Sequence, residues 1–142
     1  MNGNSKAITR ETLQSYLDSS PFIRFLGLRL DHMDPDLMEL TLRMPARAEL
    51  LRGGAVEQFH GGPVASLIDT AGDFALIQLV NGPVPTINFR VDYLRPCAGI
   101  YLLAKAVVRK AGKTVGVVDV DVVNDQHCLC AVGRGCFGMV QG

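Results

Sequence analysis

The sequence has no excess of charge of either sign, no tryptophan and no long uninterrupted apolar run. Lys and Arg number 14 and Asp and Glu number 14, so the formal net charge is zero. This balance argues against nucleic acid or an anionic membrane as the main partner. No apolar run approaches the ~18 residues of a membrane span, and residues 1–17 lack the apolar core of a signal peptide. We therefore expect a cytoplasmic protein.

Cysteine is scarce and does not form a metal-binding pattern. Cys97 stands alone, whereas Cys128, Cys130 and Cys136 lie at even spacing in a strand-like segment, which predicts that they share one face of a strand. Cys-x-Cys without a second ligand pair is poor zinc spacing. We expect the four cysteines to behave as small buried hydrophobic residues, and metal binding or redox chemistry is the alternative. We accordingly expect no metal and no cofactor.

No internal repeat, low-complexity stretch or change of composition divides the chain. Hydrophobic residues make up 48% and charged residues 20% of its 142 residues, which is typical of a globular protein. A chain of this length can bury a sizeable core as one unit. We expect residues 1–142 to form a single domain.

The most informative stretch runs from Phe59 to Val80. Pro63 suits the first turn of a helix, and Asn81-Gly82-Pro83 is a cluster that ends one. Apolar residues recur at helical spacing and define one face, and a carboxylate midway along so apolar a helix is unusual. The apolar face comprises Val64, Leu67, Ile68, Ala71, Ala75 and Leu79, and the other side carries Ser66, Asp69, Thr70 and Asp73.

The remaining segments predict a sheet around this helix. Residues from about 9 to 20 predict a short amphipathic helix closed by Pro21, and the apolar segment 22–26 should cover one end of the core. The order of elements indicates an α+β domain with an antiparallel sheet. Alternating apolar and polar residues predict strands at 27–32, 38–44, 86–94, 100–110, 114–123 and 128–137.

His60-Gly61-Gly62 is the first candidate for chemistry. Two glycines ahead of a helix leave backbone N–H groups bare at the positive end of the helix dipole. Such groups suit an oxygen that becomes negative during acyl transfer. The alternative for the glycines is a tight turn. His60 could act as a base, although a histidine here more often braces the loop.

Asp69 is the second candidate, and its alternative is a solvated polar face shared with Asp73. Asp69 follows Gly61 by eight residues, so the two lie roughly 12 Å apart along a helix. One small carbonyl cannot touch both groups. If they serve one reaction, they come from different subunits, with two such helices antiparallel across a dimer.

Several basic residues lie on or beside the predicted strands. They could contact phosphates, but basic side chains at strand edges also prevent aggregation. These residues are Arg90, Arg95, Arg109, Lys110, Lys113 and Arg134.

Three motifs together resemble the hotdog-fold acyl-CoA thioesterases, in the branch that includes phenylacetyl-CoA thioesterase. The first is His60-Gly61-Gly62 followed, after six residues, by Asp69-Thr70-Ala71. The second is the strand Thr86–Pro96, which ends in Tyr-x-x-Pro, and the third is the hairpin Ala111-Gly112-Lys113. The resemblance covers the chain from about residue 25 onward. It implies a long helix wrapped by a curved antiparallel sheet, assembled into dimers and often tetramers.

The resemblance also implies roles for individual residues. The Gly61 amide would polarise the thioester carbonyl, with His60 beside it. Asp69 of the partner subunit would attack the carbonyl or activate a water that Thr86 helps to position. Coenzyme A, as part of the substrate, would lie along the subunit interface with its phosphates near basic residues. The candidate substrate-binding residues are Glu57, Gln58, Gly62, Asp73, Arg90 and Lys113. Asp73, one turn past Asp69, either tunes Asp69, since two carboxylates this close raise one pKa, or faces water.

One position departs from the family pattern. The family usually carries an asparagine six residues before the histidine, where it helps to hold the loop and the carbonyl. Gly54 occupies this position here. Glu57 and Gln58 reach the same loop and are the candidate substitutes.

Thioester hydrolysis is the leading functional hypothesis, with two alternatives. A hotdog hydratase or dehydratase would resemble members with an Asp-x4-His pair, but Phe74 stands at that spacing after Asp69. A catalytically silent acyl-CoA-binding protein is the other alternative, and it is favoured by Gly54.

Overall fold

The computed structural model describes residues 8–139, which form three α-helices and six strands. The helices are α1 (Arg10–Ser19), α2 (Pro21–Leu26) and α3 (Gly61–Val80), with a 3-10 turn at Ala48–Leu50. The strands are β1 (Arg29–Asp34), β2 (Glu39–Pro45), β3 (Thr86–Tyr93), β4 (Tyr101–Ala111), β5 (Val115–Asn124) and β6 (Leu129–Gly138).

The six strands form one antiparallel sheet in the order β1-β2-β4-β5-β6-β3. Helix α3 packs on this sheet and contacts all strands from β2 to β6. Strand β5 illustrates how the alternation of side chains gives the sheet one buried face. Val118, Val120 and Val122 are buried, while the residues between them are more accessible. The predicted α+β fold, with a long helix against a curved antiparallel sheet, is confirmed.

Helix α3 is buried over more of its circumference than its apolar spacing predicts. Phe74 and Leu76 are buried outside the predicted face. Thr70, expected on the polar side, is also buried, because its hydroxyl donates to the Ser66 carbonyl at 2.7 Å and needs no water. Helix α3, with 20 residues and a mean hydropathy of 1.3, is long and apolar enough to span a membrane, but half of that apolar stretch is buried inside the fold. In this structure α3 is a core helix.

Glycines allow α3 to lie close to the sheet. A Cβ at Gly72 of α3 would stand 2.8 Å from Cζ of Phe137 on β6. A Cβ at Gly133 of β6 would stand 2.7 Å from Cγ2 of Ile68 on α3. Real Cβ atoms do not approach carbon this closely, so a side chain at either position would force helix and sheet apart.

The N-terminal segment contains one helix more than predicted. Helix α1 matches the expected helix, but Pro21 does not merely close it, because Pro21 is the first residue of α2. Ser20 caps α2 by accepting a hydrogen bond from the Ile23 amide at 3.4 Å. The segment covers the core only in part, since Phe22 and Phe25 remain 56% and 50% exposed.

The cysteines do not share one environment. Cys97 and Cys130 are buried, as expected, but Cys128 is exposed and Cys136 is half-buried. The expectation that the last three share a buried face is wrong, because the β5–β6 register shifts near the start of β6 and breaks the alternation.

Strand β3 is an edge of the sheet. Within residues 8–139 it pairs only with β6, and its outer edge pairs with no strand. The predicted apolar face of β3 is partly buried only at Val91, which packs against the core, whereas Ile87, Phe89 and Tyr93 are 59%, 38% and 51% exposed. Exposed apolar residues on an unpaired edge are typical of a strand that another chain covers.

Candidate active site

The N-terminus of α3 presents unpaired backbone donors at the surface. Gly61 is the first residue of the helix, and His60 precedes it in an extended conformation. The His60 side chain is exposed and makes no capping hydrogen bond, while its amide donates to the Leu50 carbonyl at 2.9 Å. The first N–H groups of a helix lack partners within the helix. The amides of Gly61 and Gly62 are thus available to an incoming oxygen, at the positive end of the helix dipole.

Tyr93, at the end of β3, holds this helix terminus. Its hydroxyl donates to the Gly61 carbonyl at 2.6 Å. A Cβ at Gly61 would lie only 3.1 Å from that hydroxyl. Burial raises the pKa of Tyr93, with a smaller contribution from Cys97, so the phenol keeps its proton and remains a donor. Sequence reasoning missed this role, because the contact joins residues 32 positions apart.

A cleft of about 460 Å³ opens beside the Gly61 amide. Its lining includes Gln58, His60, Gly61 and Tyr93, together with the segment from Leu94 to Cys97. The cleft contains both apolar and polar side chains, which suits an acyl group attached to a polar carrier. Among the two candidate substitutes for the family asparagine, Gln58 lies in this cleft, whereas Glu57 lines a different one beside residues 98–100.

A thiol also lines this cleft. The hydrogen bond between Cys97 and Cys130 is the largest cause that raises the pKa of Cys97, followed by burial. Cys97 is therefore a neutral wall residue, because only a thiolate is a strong nucleophile.

Asp69 lies midway along α3, eight residues after Gly61. The Thr86 hydroxyl, at the start of β3, donates to Asp69 Oδ1 at 2.7 Å. Asp69 is half-buried and Thr86 is exposed, so the carboxylate is held in place while remaining accessible. The structure thus places Thr86 beside Asp69 within one chain. Asp73 lies one turn further along α3, where burial and then the charge of Asp69 raise its pKa from the ordinary 3.8 to about 7.

The two groups do not meet within one chain. Gly61 and Asp69 both lie in the continuous helix α3, eight residues apart, which corresponds to about 12 Å. Each end of β3 contacts one of them: Tyr93 touches Gly61 and Thr86 touches Asp69.

Among the basic candidates, Arg95 lines the cleft beside Gly61, whereas Arg90, Arg109, Lys110, Lys113 and Arg134 do not. Arg90 is exposed on β3 and pairs with Asp92 at 3.1 Å, in a cleft on the sheet that also contains Arg109 and Arg134. Lys113 is exposed in the turn between β4 and β5. Neither lines the cleft beside Gly61. Within residues 8–139, no three His, Cys, Asp or Glu side chains are grouped so that they could hold a metal ion.

Gly54 lies in an exposed loop with φ of +110°, and a Cβ there would contact nothing within 4 Å. This backbone conformation favours glycine over asparagine. An asparagine at this position would therefore strain the loop in its present conformation.

Known proteins are similar to this chain over the segment that carries these residues. Residues 58–131, which contain the Gly61 terminus, Asp69 and Thr86, match the model of the Thioesterase superfamily. A relative from Halobacterium salinarum, whose name assigns it to the esterases only provisionally, is 39% identical over 88% of this chain and 88% of its own. The acyl-coenzyme A thioesterase PaaI of Escherichia coli is 37% identical over 78% of this chain and 76% of its own.

A solved structure extends the likeness to the fold. The structure of the E. coli PaaI protein from the phenylacetic acid degradation operon superposes with a TM-score of 0.78 and 31% identity. The superposition covers 90% of each chain.

Proposed function

This chain belongs to the thioesterase superfamily, in the hotdog-fold branch that includes PaaI, and we propose that it hydrolyses acyl-CoA thioesters to a free acid and coenzyme A. The observation that carries the proposal is the pairing of an open helix N-terminus with a carboxylate that a hydroxyl holds in place. Together they supply the two requirements of acyl transfer, a polarised carbonyl and an activated attacking group.

In the proposed mechanism the thioester carbonyl accepts hydrogen bonds from the Gly61 amide. This amide stabilises the negative charge that develops on the oxygen as the carbonyl carbon becomes tetrahedral. Asp69 either attacks the carbon or takes a proton from an attacking water, which Thr86 helps to position. When Asp69 activates water, the carbon–sulfur bond breaks, the proton taken by Asp69 passes to the sulfur, and coenzyme A leaves as the thiol beside the free acid. When Asp69 attacks directly, coenzyme A leaves with a proton from solvent, and a water then hydrolyses the mixed anhydride on Asp69 to release the acid.

We further propose that each site is shared between two subunits. The support is the separation of Gly61 and Asp69 along α3 together with the unpaired, apolar edge of β3. If two copies of β3 paired antiparallel about their midpoint, Thr86 of one copy would lie opposite the other copy's Tyr93. Because these residues hold Asp69 and Gly61 respectively, such pairing would bring the carboxylate of one subunit to the amide of the other.

The first test is release of free thiol from a panel of aryl and straight-chain acyl-CoAs. Asp69→Asn should lower kcat/KM by about a hundredfold or more, because it removes the base or nucleophile but keeps the side-chain volume. Asp36→Asn, which makes the same change in the exposed turn before β2, is the matched control. Equal losses in the two variants would remove Asp69 from the mechanism. Tight binding of acyl-CoA without hydrolysis would favour the silent binder.

A second test isolates the Gly61 amide. Proline is well tolerated at the first position of a helix, and it lacks only the N–H. The extended conformation of His60 suits the residue before a proline. Gly61→Pro should lower kcat roughly a hundredfold or more, whereas Gly61→Ala crowds Tyr93 in a similar way but keeps the N–H. Similar losses in both variants would show that crowding, and not the amide, matters.

Mixing inactive subunits tests the shared site. Asp69→Asn and Gly61→Pro chains, exchanged at random into dimers, should recover about a quarter of wild-type activity, because half of the dimers contain one intact site. No recovery after verified exchange would mean that one chain supplies both groups.

A further inference from the structure

Asp73 has surroundings that a carboxylate does not favour. It lies one turn beyond Asp69 on α3, so the two side chains project on the same side of the helix. Its Oδ1 is shielded from solvent and, within the described part of the chain, has no hydrogen-bond partner. A buried carboxylate oxygen without a donor is costly, whereas a protonated carboxyl group is tolerated more easily.

Burial and the charge of Asp69 act on Asp73 in the same direction. Next to it on α3, Gly72 packs against Val118 of β5 and Phe137 of β6. Residues 84–89, which comprise the two residues before β3 and its first four residues, contain no ionisable side chain. The acidic residues of β5 lie between its buried valines and face the other side of the sheet. Asp69 is the charged group that acts on Asp73, and it raises the pKa of Asp73 in addition to burial.

From this arrangement we propose, on the basis of the function proposed above, that Asp73 is a positioning residue that holds a proton at neutral pH and donates it in a hydrogen bond to the Asp69 carboxylate. Asp69 Oδ1 already accepts the Thr86 hydroxyl at 2.7 Å. A second donor from one turn away fixes the plane of the carboxylate. Asp69 then stays charged and correctly aimed, because the extra proton of the acidic pair rests on its neighbour.

The first experiment needs no turnover. In protein labelled with ¹³C at the aspartate side-chain carbon, NMR follows each carboxyl group as pH changes, and Asp73→Asn and Asp69→Asn assign the two signals. We expect the Asp73 signal to titrate near pH 7 and the Asp69 signal to shift over the same pH range. In Asp73→Asn that shift of Asp69 should vanish. An Asp73 signal that is already that of a carboxylate at pH 6 would overturn the inference.

The second experiment measures kcat/KM against pH. If the protonated form of Asp73 is required, kcat/KM in the wild type should fall about tenfold between pH 6 and pH 8, as a group titrating near pH 7 gives up its proton. Asp73→Asn keeps a donor that cannot ionise, so this fall should disappear. Asp73→Ala provides no donor and should have a low kcat at every pH, with KM little changed. A fall that persists in Asp73→Asn would assign it to another group and contradict the inference.

The two experiments separate this inference from the proposed function. If the wild type hydrolyses no acyl-CoA, the proposed function fails, but the NMR titration still decides where the proton lies. If hydrolysis requires Asp69 and the NMR signal of Asp73 is already that of a carboxylate at pH 6, the function stands and the positioning role is refuted.

Discussion

Replacing Asp73 with asparagine should remove one source of pH dependence from the free energy of unfolding. In the unfolded chain Asp73 has its ordinary pKa of 3.8, whereas in the folded chain burial and Asp69 raise the pKa to about 7. Between these values the folded state binds a proton that the unfolded state has lost. The free energy of unfolding therefore falls as pH rises through this window and levels off above the folded-state pKa.

The magnitude follows from the two pKa values. Each unit of difference corresponds to 1.36 kcal/mol, so the full shift amounts to about 4 kcal/mol. From pH 5 to pH 8 about two of these units are crossed, which gives a loss of roughly 3 kcal/mol. Asparagine has the same shape and does not ionise. The free energy of unfolding of Asp73→Asn minus that of the wild type should therefore rise by roughly 3 kcal/mol between pH 5 and pH 8.

Urea denaturation followed by far-ultraviolet circular dichroism measures this difference, since the chain contains no tryptophan. Protein concentration is kept constant, because self-association changes apparent stability. Asp36→Asn, in the exposed turn, gives the baseline for losing one surface carboxylate. A difference that stays constant within about 0.5 kcal/mol from pH 5 to pH 8 would refute the reasoning, because Asp73 would then ionise alike in both states.

Two further substitutions test the contacts of α3. Gly72→Ala should lower the free energy of unfolding by about 1–3 kcal/mol, since its Cβ would lie 2.8 Å from Cζ of Phe137; a midpoint of urea unfolding equal to that of the wild type would contradict this close packing. Thr86→Val removes the donor to Asp69 without changing the side-chain shape and should lower kcat/KM roughly tenfold, as measured by thiol release, while unchanged kinetics would show that the hydroxyl does not hold the carboxylate.

Local patterns were sufficient to predict most of the fold. Helix α3 could be located because Pro63 and the breaker after Val80 mark its ends, and the strands because alternation has a physical cause in the pleat. The second N-terminal helix was missed because Pro21 was interpreted as an end, although a serine before a proline also begins a helix.

The candidate site was predictable only where the chemistry lies in one segment. Gly61 and Asp69 are within a single helix, so their separation could be calculated before the fold was known. The contact of Tyr93 with Gly61 depends on how β3 lies against α3, and no local pattern reports it. The burial of Asp73 likewise depends on packing, since its position in the sequence is equally compatible with an exposed face.

Two hydrogen bonds, one at each end of β3, fix the number of residues between Thr86 and Tyr93. One extra residue between Thr86 and Tyr93 would displace one of the two contacts by about 3.3 Å and turn the following side chains to the opposite face. Insertions and deletions within 61–69 or 86–93 are thus incompatible with the chemistry, whereas side-chain substitutions in the cleft wall at 94–97 leave both contacts in place. We expect homologous chains to diverge in substrate range through substitutions in that wall, and to keep the number of residues in the two segments unchanged.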